Sequence, residues 1–266
     1  MDLHTVEALR PAHTRDDLRL AAGETLLGGG SWLFSEPQPG VTGLVDLTAM
    51  GWQPWEITAD GLSVAATCTI AQLLEPPAPP AWVASPLFRQ CADAFLMSFK
   101  IWNTATVGGN LCLALPAGAM ISLATALDAE AVVWTPDGGE RREPVAAFVR
   151  GPGLTSLQAG EVLRSVDYPI AALQGRTAFR KIALTPMGRS SAVVIGRLDG
   201  DGGFTLAVSA ATPRPYVFRF DTTPTTADVR LALDTVDEWY ADPHGSPDWR
   251  AAVTLELATE VCAELA

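Results

Sequence analysis

The sequence predicts an α+β protein: a small α/β unit at the start, hairpins and helices through the middle, and a small antiparallel sheet with helices at the end. Three observations predict it. Short apolar runs at 25–27 and 43–47 flank a glycine loop, as strands flanking a turn do. Asp60-Gly61 and Asp137-Gly138 each sit between strand-like runs, which is a hairpin signal. From residue 177 onward, alternating runs of strand length precede two stretches with helical spacing.

Taken in order, residues 5–10 are short enough for a strand, and Thr14-Arg15-Asp16-Asp17 has the capped, acidic first turn of a helix reaching about Leu20. Thr25-Leu26-Leu27 makes a brief strand, and Pro37-Gln38-Pro39-Gly40 turns the chain toward the next one at 43–47. A hairpin follows at 56–67, with Asp60-Gly61 expected to supply the positive φ of a type I′ turn. A short helix is expected over 70–74, then a proline bend over 76–80. Leu87, Cys91, Phe95 and Ile101 recur near helical spacing and predict a helix over 87–100. Pro116 is expected at the first position of another helix, whose apolar surface is Ile121, Leu123, Ala124 and Leu127. A second hairpin occupies 131–134 and 141 onward, and a strand over 162–168 ends at Pro169. The stretch 171–176, poor in large apolar residues, marks a boundary. Strands are expected beyond it over 177–184, 192–198 and 204–211, then helices over 226–238 and 247–265.

Two stretches of this chain carry chemistry. The first is Leu27-Gly28-Gly29-Gly30-Ser31-Trp32-Leu33; the second is Asn103-Thr104-Ala105-Thr106-Val107-Gly108-Gly109-Asn110. Both combine short polar side chains with glycines that permit close backbone approach or left-handed φ. Two loops able to offer backbone N–H groups to an anion suggest a diphosphate, although either alone also suits a tight turn at a strand end. Trp32 and Trp102 lie near them and could face a ligand or the core.

The remaining composition mostly excludes. A net charge of −12 without a Lys/Arg cluster argues against nucleic acid and anionic membranes as partners. Cys68, Cys91, Cys112 and Cys262 form no C-x-x-C pair, and His4, His13 and His244 are scattered, so neither an iron–sulfur nor a zinc site is expected. No apolar run reaches about 18 residues and no signal-peptide pattern opens the chain, so the expectation is a cytoplasmic protein without membrane insertion. No catalytic acid or base is assigned.

In order, the two loops resemble those of the FAD-binding subunits of molybdenum hydroxylases, the family of xanthine dehydrogenase and the carbon monoxide dehydrogenase medium flavoprotein. That family has an Ala-Gly-Gly-x-Ser/Thr loop and later Arg-Asn-x-Gly-Thr-Ile-Gly-Gly-Asn, then Pro-Ala-Ala-Asp-Leu. The counterparts here are Gly28, Gly29 and Ser31, then Asn103, Thr106, Val107, Gly108, Gly109 and Asn110, then Pro116 and Ala117. The likeness extends through 127–132 and a later strand, Phe179-Arg180-Lys181. It implies a two-lobed FAD-binding domain of the vanillyl-alcohol oxidase-like (PCMH) type, with lobes at 1–52 and 53–172, and a C-terminal flavoprotein domain at 173–266. It also implies FAD held by Leu27 to Leu33 and by Asn103, Thr106, Val107, Gly108, Gly109 and Asn110, with Lys181 near the flavin. The implied partners are a molybdenum cofactor-binding large subunit and a 2Fe-2S small subunit; FAD would relay their electrons to an external acceptor.

This sequence departs from the pattern at Trp102 for Arg, Ala105 for Gly and Ala119 for Asp. The resemblance implies that this Asp lies beside the sugar-phosphate portion of the flavin, so its loss removes a hydrogen bond worth on the order of 0.5–1.5 kcal/mol if neutral and more if the acceptor is charged. Two other readings use the same loops: a self-contained FAD oxidoreductase resembling the enolpyruvyl-sugar reductases, and an assembly subunit that no longer holds flavin.

Overall fold

The structure, a computed structural model, describes residues 3–266. Strands β1 (Ala8–Pro11), β2 (Glu24–Leu27) and β3 (Gly43–Asp46) form a parallel sheet in the order β1-β3-β2. Between β1 and β2 the expected capped turn is a short 3-10 helix, Arg15–Leu18, with Thr14 and Asp17 capping each other's backbone. Arg10 on β1 donates to both carboxylate oxygens of Glu24 on β2, at 2.8 and 2.7 Å, and thereby ties the outer strands across β3.

The hairpin of β4 (Trp55–Ile57) and β5 (Gly61–Ala65) follows. Its turn is not type I′: Thr58 and Gly61 close it, and neither central residue, Ala59 or Asp60, has positive φ. Gly61 instead starts β5, where a Cβ would come within 2.0 Å of the Tyr168 carbonyl oxygen. Both that close approach and its own φ of +144 require glycine there.

Helices α1 (Ile70–Leu73) and α2 (Pro86–Ala94) lead on, but the single helix expected over 87–100 is broken. Leu96 takes φ +54 and the chain restarts as α3 (Phe99–Trp102). The apolar stripe does not continue inward: Leu87 and Cys91 are fully buried, whereas Phe99 is 74% exposed. The second glycine stretch is likewise no loop along its whole length. Its glycines lie in the first turn of α4 (Val107–Leu113), capped by Thr106. Pro116 does not open α5 (Ala119–Ala126); that helix begins three residues later, after Gly118.

Strands β6 (Glu130–Trp134) and β7 (Glu140–Pro144) make the second hairpin, followed by α6 (Val145–Phe148), β8 (Val149–Gly151) and β9 (Leu154–Thr155), none of these last three anticipated. With β10 (Val162–Pro169) the second sheet runs β4-β5-β10-β6-β7, antiparallel throughout. The boundary stretch contains α7 (Ile170–Gln174), whose Ala172 and Leu173 are buried.

The C-terminal sheet is a meander of β11 (Arg176–Ile182), β12 (Ala192–Leu198), β13 (Phe204–Ser209) and the unanticipated β14 (Tyr216–Phe220), followed by α8 (Thr226–Leu233) and α9 (Pro247–Leu265). Its middle strands are apolar on both faces. Period-two alternation sends Val193, Ile195 and Ala207 into the core shared with α2 and α5, and Val194, Leu206 and Val208 under α8 and α9. Two buried arginines lock this arrangement. Arg197 bonds the Ala126 carbonyl, Asp128 and Asp199, and Arg250 on α9 bonds the carbonyls of Ser191 and Ala210 and the Asp242 carboxylate.

Candidate functional site

The end of β2 and the start of α4 are far apart in sequence, yet the two glycine stretches touch. A Cβ on Gly28 would stand 3.1 Å from the Thr106 Oγ1, and one on Gly29 would stand 1.5 Å from the Thr104 carbonyl oxygen. Only glycine lets these backbones approach so closely. Gly30 has φ +70, and a Cβ there would meet the Phe34 ring at 2.3 Å.

The backbone donors of the two stretches are spent differently. In the second, the amides of Val107 and Gly108 donate to Cys68 O and Ala66 O, both at 2.9 Å, and those of Gly109 and Asn110 donate to Thr106 Oγ1 and O, both at 3.0 Å. Among residues 103–110 only the Thr106 amide has no acceptor among the described residues. In the first, none of the amides of Gly28, Gly29, Gly30, Ser31, Trp32 and Leu33 donates to an acceptor among the described residues. Groups of this kind need a partner, so six in succession beside a cleft offer themselves to water or to an anion.

That cleft has a volume of about 710 Å³, within the roughly 300–1,000 Å³ of small-molecule and cofactor sites. All of Leu27 to Leu33 line it, with Thr106, Gly109 and Asn110 opposite. Among the described residues its lining contains no Asp, Glu or His, although the chain carries 30 acidic residues, and Arg189 is the one cation. Cys112 also reaches the cleft, with its residue exposed there. Donor-rich and free of carboxylates, the cleft fits a diphosphate-bearing nucleotide.

The other sequence-selected residues fall outside the cleft lining. Asn103 is exposed and its Nδ2 donates 2.8 Å to Phe99 O, closing α3. Val107 is fully buried, and Gly108 packs on Ala66, where a Cβ would come within 2.5 Å. Lys181, expected near the flavin, is half-buried on β11 and does not line the cleft, because β11 ends before the loop that does. Asn110, though at the cleft, also accepts from the Met120 amide at 3.0 Å and so caps α5. Trp32 is 39% exposed on the cleft wall, whereas Trp102 lies away from it under the Arg89 guanidinium. Ala119, in the place of the family's Asp, is buried and not part of the wall.

Sequence reasoning missed Met187, Arg189 and Ser190, on the segment joining β11 to β12, and Phe95 to Met97 at the helix break. The signal in sequence for the β11–β12 segment is the proline and glycine of 186–188, which mark a turn. Among the described residues no group of His, Cys, Asp and Glu could hold a metal, and no helix is long and apolar enough to cross a membrane.

Known proteins resemble this chain in part of its sequence and in its fold. Caffeine dehydrogenase subunit beta of Pseudomonas sp. (strain CBB1) is 34% identical over 84 residues, which is 32% of this chain and 28% of that subunit. The matched segment thus spans under a third of the relative's length. Quinoline 2-oxidoreductase from Pseudomonas putida 86 superposes with a TM-score of 0.82 at 22% identity, covering 100% of this chain and 98% of that one. Carbon monoxide dehydrogenase from Hydrogenophaga pseudoflava gives 0.82 at 18% identity, covering 98% and 96%. At such identities the likeness is one of fold. Residues 4–171, which supply both glycine stretches, match the FAD binding domain in molybdopterin dehydrogenase, and the chain belongs to that family.

Proposed function

We propose that the chain is the FAD-carrying subunit of a multi-subunit molybdenum hydroxylase. Its partners are a molybdenum cofactor-binding large subunit and a 2Fe-2S small subunit, and it works in the cytoplasm. The observation that carries this reading is a cleft with six open amides in succession and no carboxylate or histidine on its lining. Bound FAD would take electrons arriving from the iron–sulfur clusters and hand them to an external acceptor.

The chain's own residues bind and orient. Gly28 to Leu33 and the Thr106 amide offer donors to the diphosphate, while Gly109 keeps the facing wall open. Asn103, Val107, Gly108 and Asn110 hold the second stretch in place. Leu26, Leu27, Phe95, Leu96 and Met97 supply apolar wall. The division into lobes at 1–52 and 53–172 and a C-terminal domain at 173–266 places both stretches in the lobes and the third wall on the last domain. With no acid or base on the lining, substrate hydroxylation belongs to another subunit.

Titration of the flavin-free chain should show FAD binding, released by heat or acid, with FMN bound more weakly. In anaerobic stopped-flow mixing with candidate aldehydes or N-heterocycles, the flavin should bleach only when the partner subunits are present. Rapid bleaching in the isolated chain would make it a self-sufficient oxidoreductase and sink the subunit assignment.

A further inference from the structure

Resting on the flavin reading, we propose that Arg189 is the counter-charge of the site: its guanidinium pairs with a negatively charged group of the bound flavin nucleotide. Arg189 lines the cleft from the C-terminal domain, on the β11–β12 connection. Among the described residues it is the only charged one on the lining, in a chain of net charge −12. Of the other arginines, Arg10, Arg141, Arg180, Arg197 and Arg250 each hold a carboxylate, and Arg150, Arg176 and Arg230, which hold none among the described residues, lie off the cleft lining. Arg189 is exposed and meets no carboxylate, carbonyl or ring among the described residues.

Its backbone is nonetheless placed. Just before it, the Gly188 amide donates 2.9 Å to Thr185 O, closing a turn. Just after it, Ser190 and Ser191 are buried; the Ser191 carbonyl accepts from Arg250 and its hydroxyl donates 2.6 Å to His244 O. A long cationic side chain on a fixed base, facing a cleft rich in free amides, suits an anion whose charge those neutral donors leave unbalanced. Arginine's planar fork matches phosphate oxygens and equally the carbonyl edge of a ring. Two sources of negative charge therefore qualify: the diphosphate, and the pyrimidine edge of the flavin ring, which becomes more negative on reduction.

The test uses the full chain as wild type, Arg189→Gln and Arg189→Lys. FAD and riboflavin are titrated by fluorescence, the melting temperature is taken without flavin, and the midpoint potential is taken with it. Arg189→Gln should weaken FAD about ten- to a hundredfold, as for a charge-assisted hydrogen bond, with an unchanged flavin-free melting temperature and partial recovery in Arg189→Lys. Unchanged riboflavin affinity assigns the pairing to the diphosphate. Riboflavin weakened in parallel, with a more negative midpoint potential, assigns it to the ring edge. Wild-type FAD affinity and potential in Arg189→Gln would overturn the proposal while leaving the flavin reading intact. A lowered flavin-free melting temperature would make the residue structural and also overturn it. A wild-type chain that takes up no FAD would remove the flavin reading itself.

Discussion

The two glycine stretches look interchangeable in sequence and do opposite work in the fold. From Gly28 to Leu33 the backbone leaves a strand and keeps six donors open; from Val107 to Asn110 every amide is spent on Ala66, Cys68 or Thr106. The first is a donor surface, whereas the second is a buttress pressed against it and against β5. A glycine-rich motif therefore says that backbone comes close to something, and not whether that something is ligand or protein.

Substitutions can separate these roles. The largest effect is expected at Gly29, where the two stretches meet backbone to backbone. Gly29→Ala puts a Cβ 1.5 Å from the Thr104 carbonyl oxygen, and neither side can give. Stability should fall by the upper part of the roughly 1–3 kcal/mol usual for overpacking, read by urea unfolding, and FAD binding should be lost. Gly108 and Gly109 come next, as a pair. Gly108→Ala drives a Cβ into Ala66 and should cost about 1–3 kcal/mol, with FAD affinity falling only as far as the fold does.

Gly109→Val meets only the Thr106 Oγ1, at 2.8 Å, and the residue has no positive φ, so no left-handed strain enters. Its stability should change by less than about 1 kcal/mol, because relief of the glycine helix penalty offsets a weakened cap, while FAD affinity drops. Equal losses of stability and affinity in both variants would erase the distinction between buttress and cleft wall. Thr106→Ala should cost about 1 kcal/mol through the lost cap on α4, with Thr106→Ser nearly neutral in thermal denaturation.

The smallest effect concerns how the first stretch is anchored. Glu24 begins the strand that feeds it, and the hydrogen bond from Arg10, with that from the Ala21 amide, holds its carboxyl down to about 2 from an ordinary 4.5. A depressed acid pKa contributes stability that is complete above about 4.5 and is lost as pH falls through about 2. The amides of Val107 to Asn110 are anchored on backbone carbonyls and one hydroxyl, none of which titrates there. FAD release between pH 4.5 and 2 should accordingly be steeper in wild type than in Glu24→Gln. Coincident acid profiles would show that this pair does not hold the donor stretch.

Much of the fold was legible because its signals are local. Alternation marked β11 to β13, Thr14 with Asp17 marked a cap, and helical spacing marked the long last helix from Pro247. Parts that failed depend on what surrounds them. Leu96 breaks a helix whose spacing looks continuous because the residues beyond it face solvent, and the hairpin that Asp60-Gly61 marks is centred one residue earlier, on Ala59 and Asp60, because the packing of Gly61 against Tyr168 is invisible in one dimension.

For the site, the sequence by itself determined that two ordered glycine and hydroxyl stretches exist, that the chain is acidic and that it lacks metal-ligand spacing. These are properties of residue type and order, and they were enough for a family resemblance. Tertiary structure decided which amides remain unpaired, which glycine faces the cleft and which basic residue arrives there. Lys181, selected by position in a motif, stays on its strand; Arg189 lines the cleft because a turn at Thr185 to Gly188 and the Ser191 anchor place the connection beside it. A hydrogen bond is spent or available only in relation to the partner that the fold brings within about 3 Å.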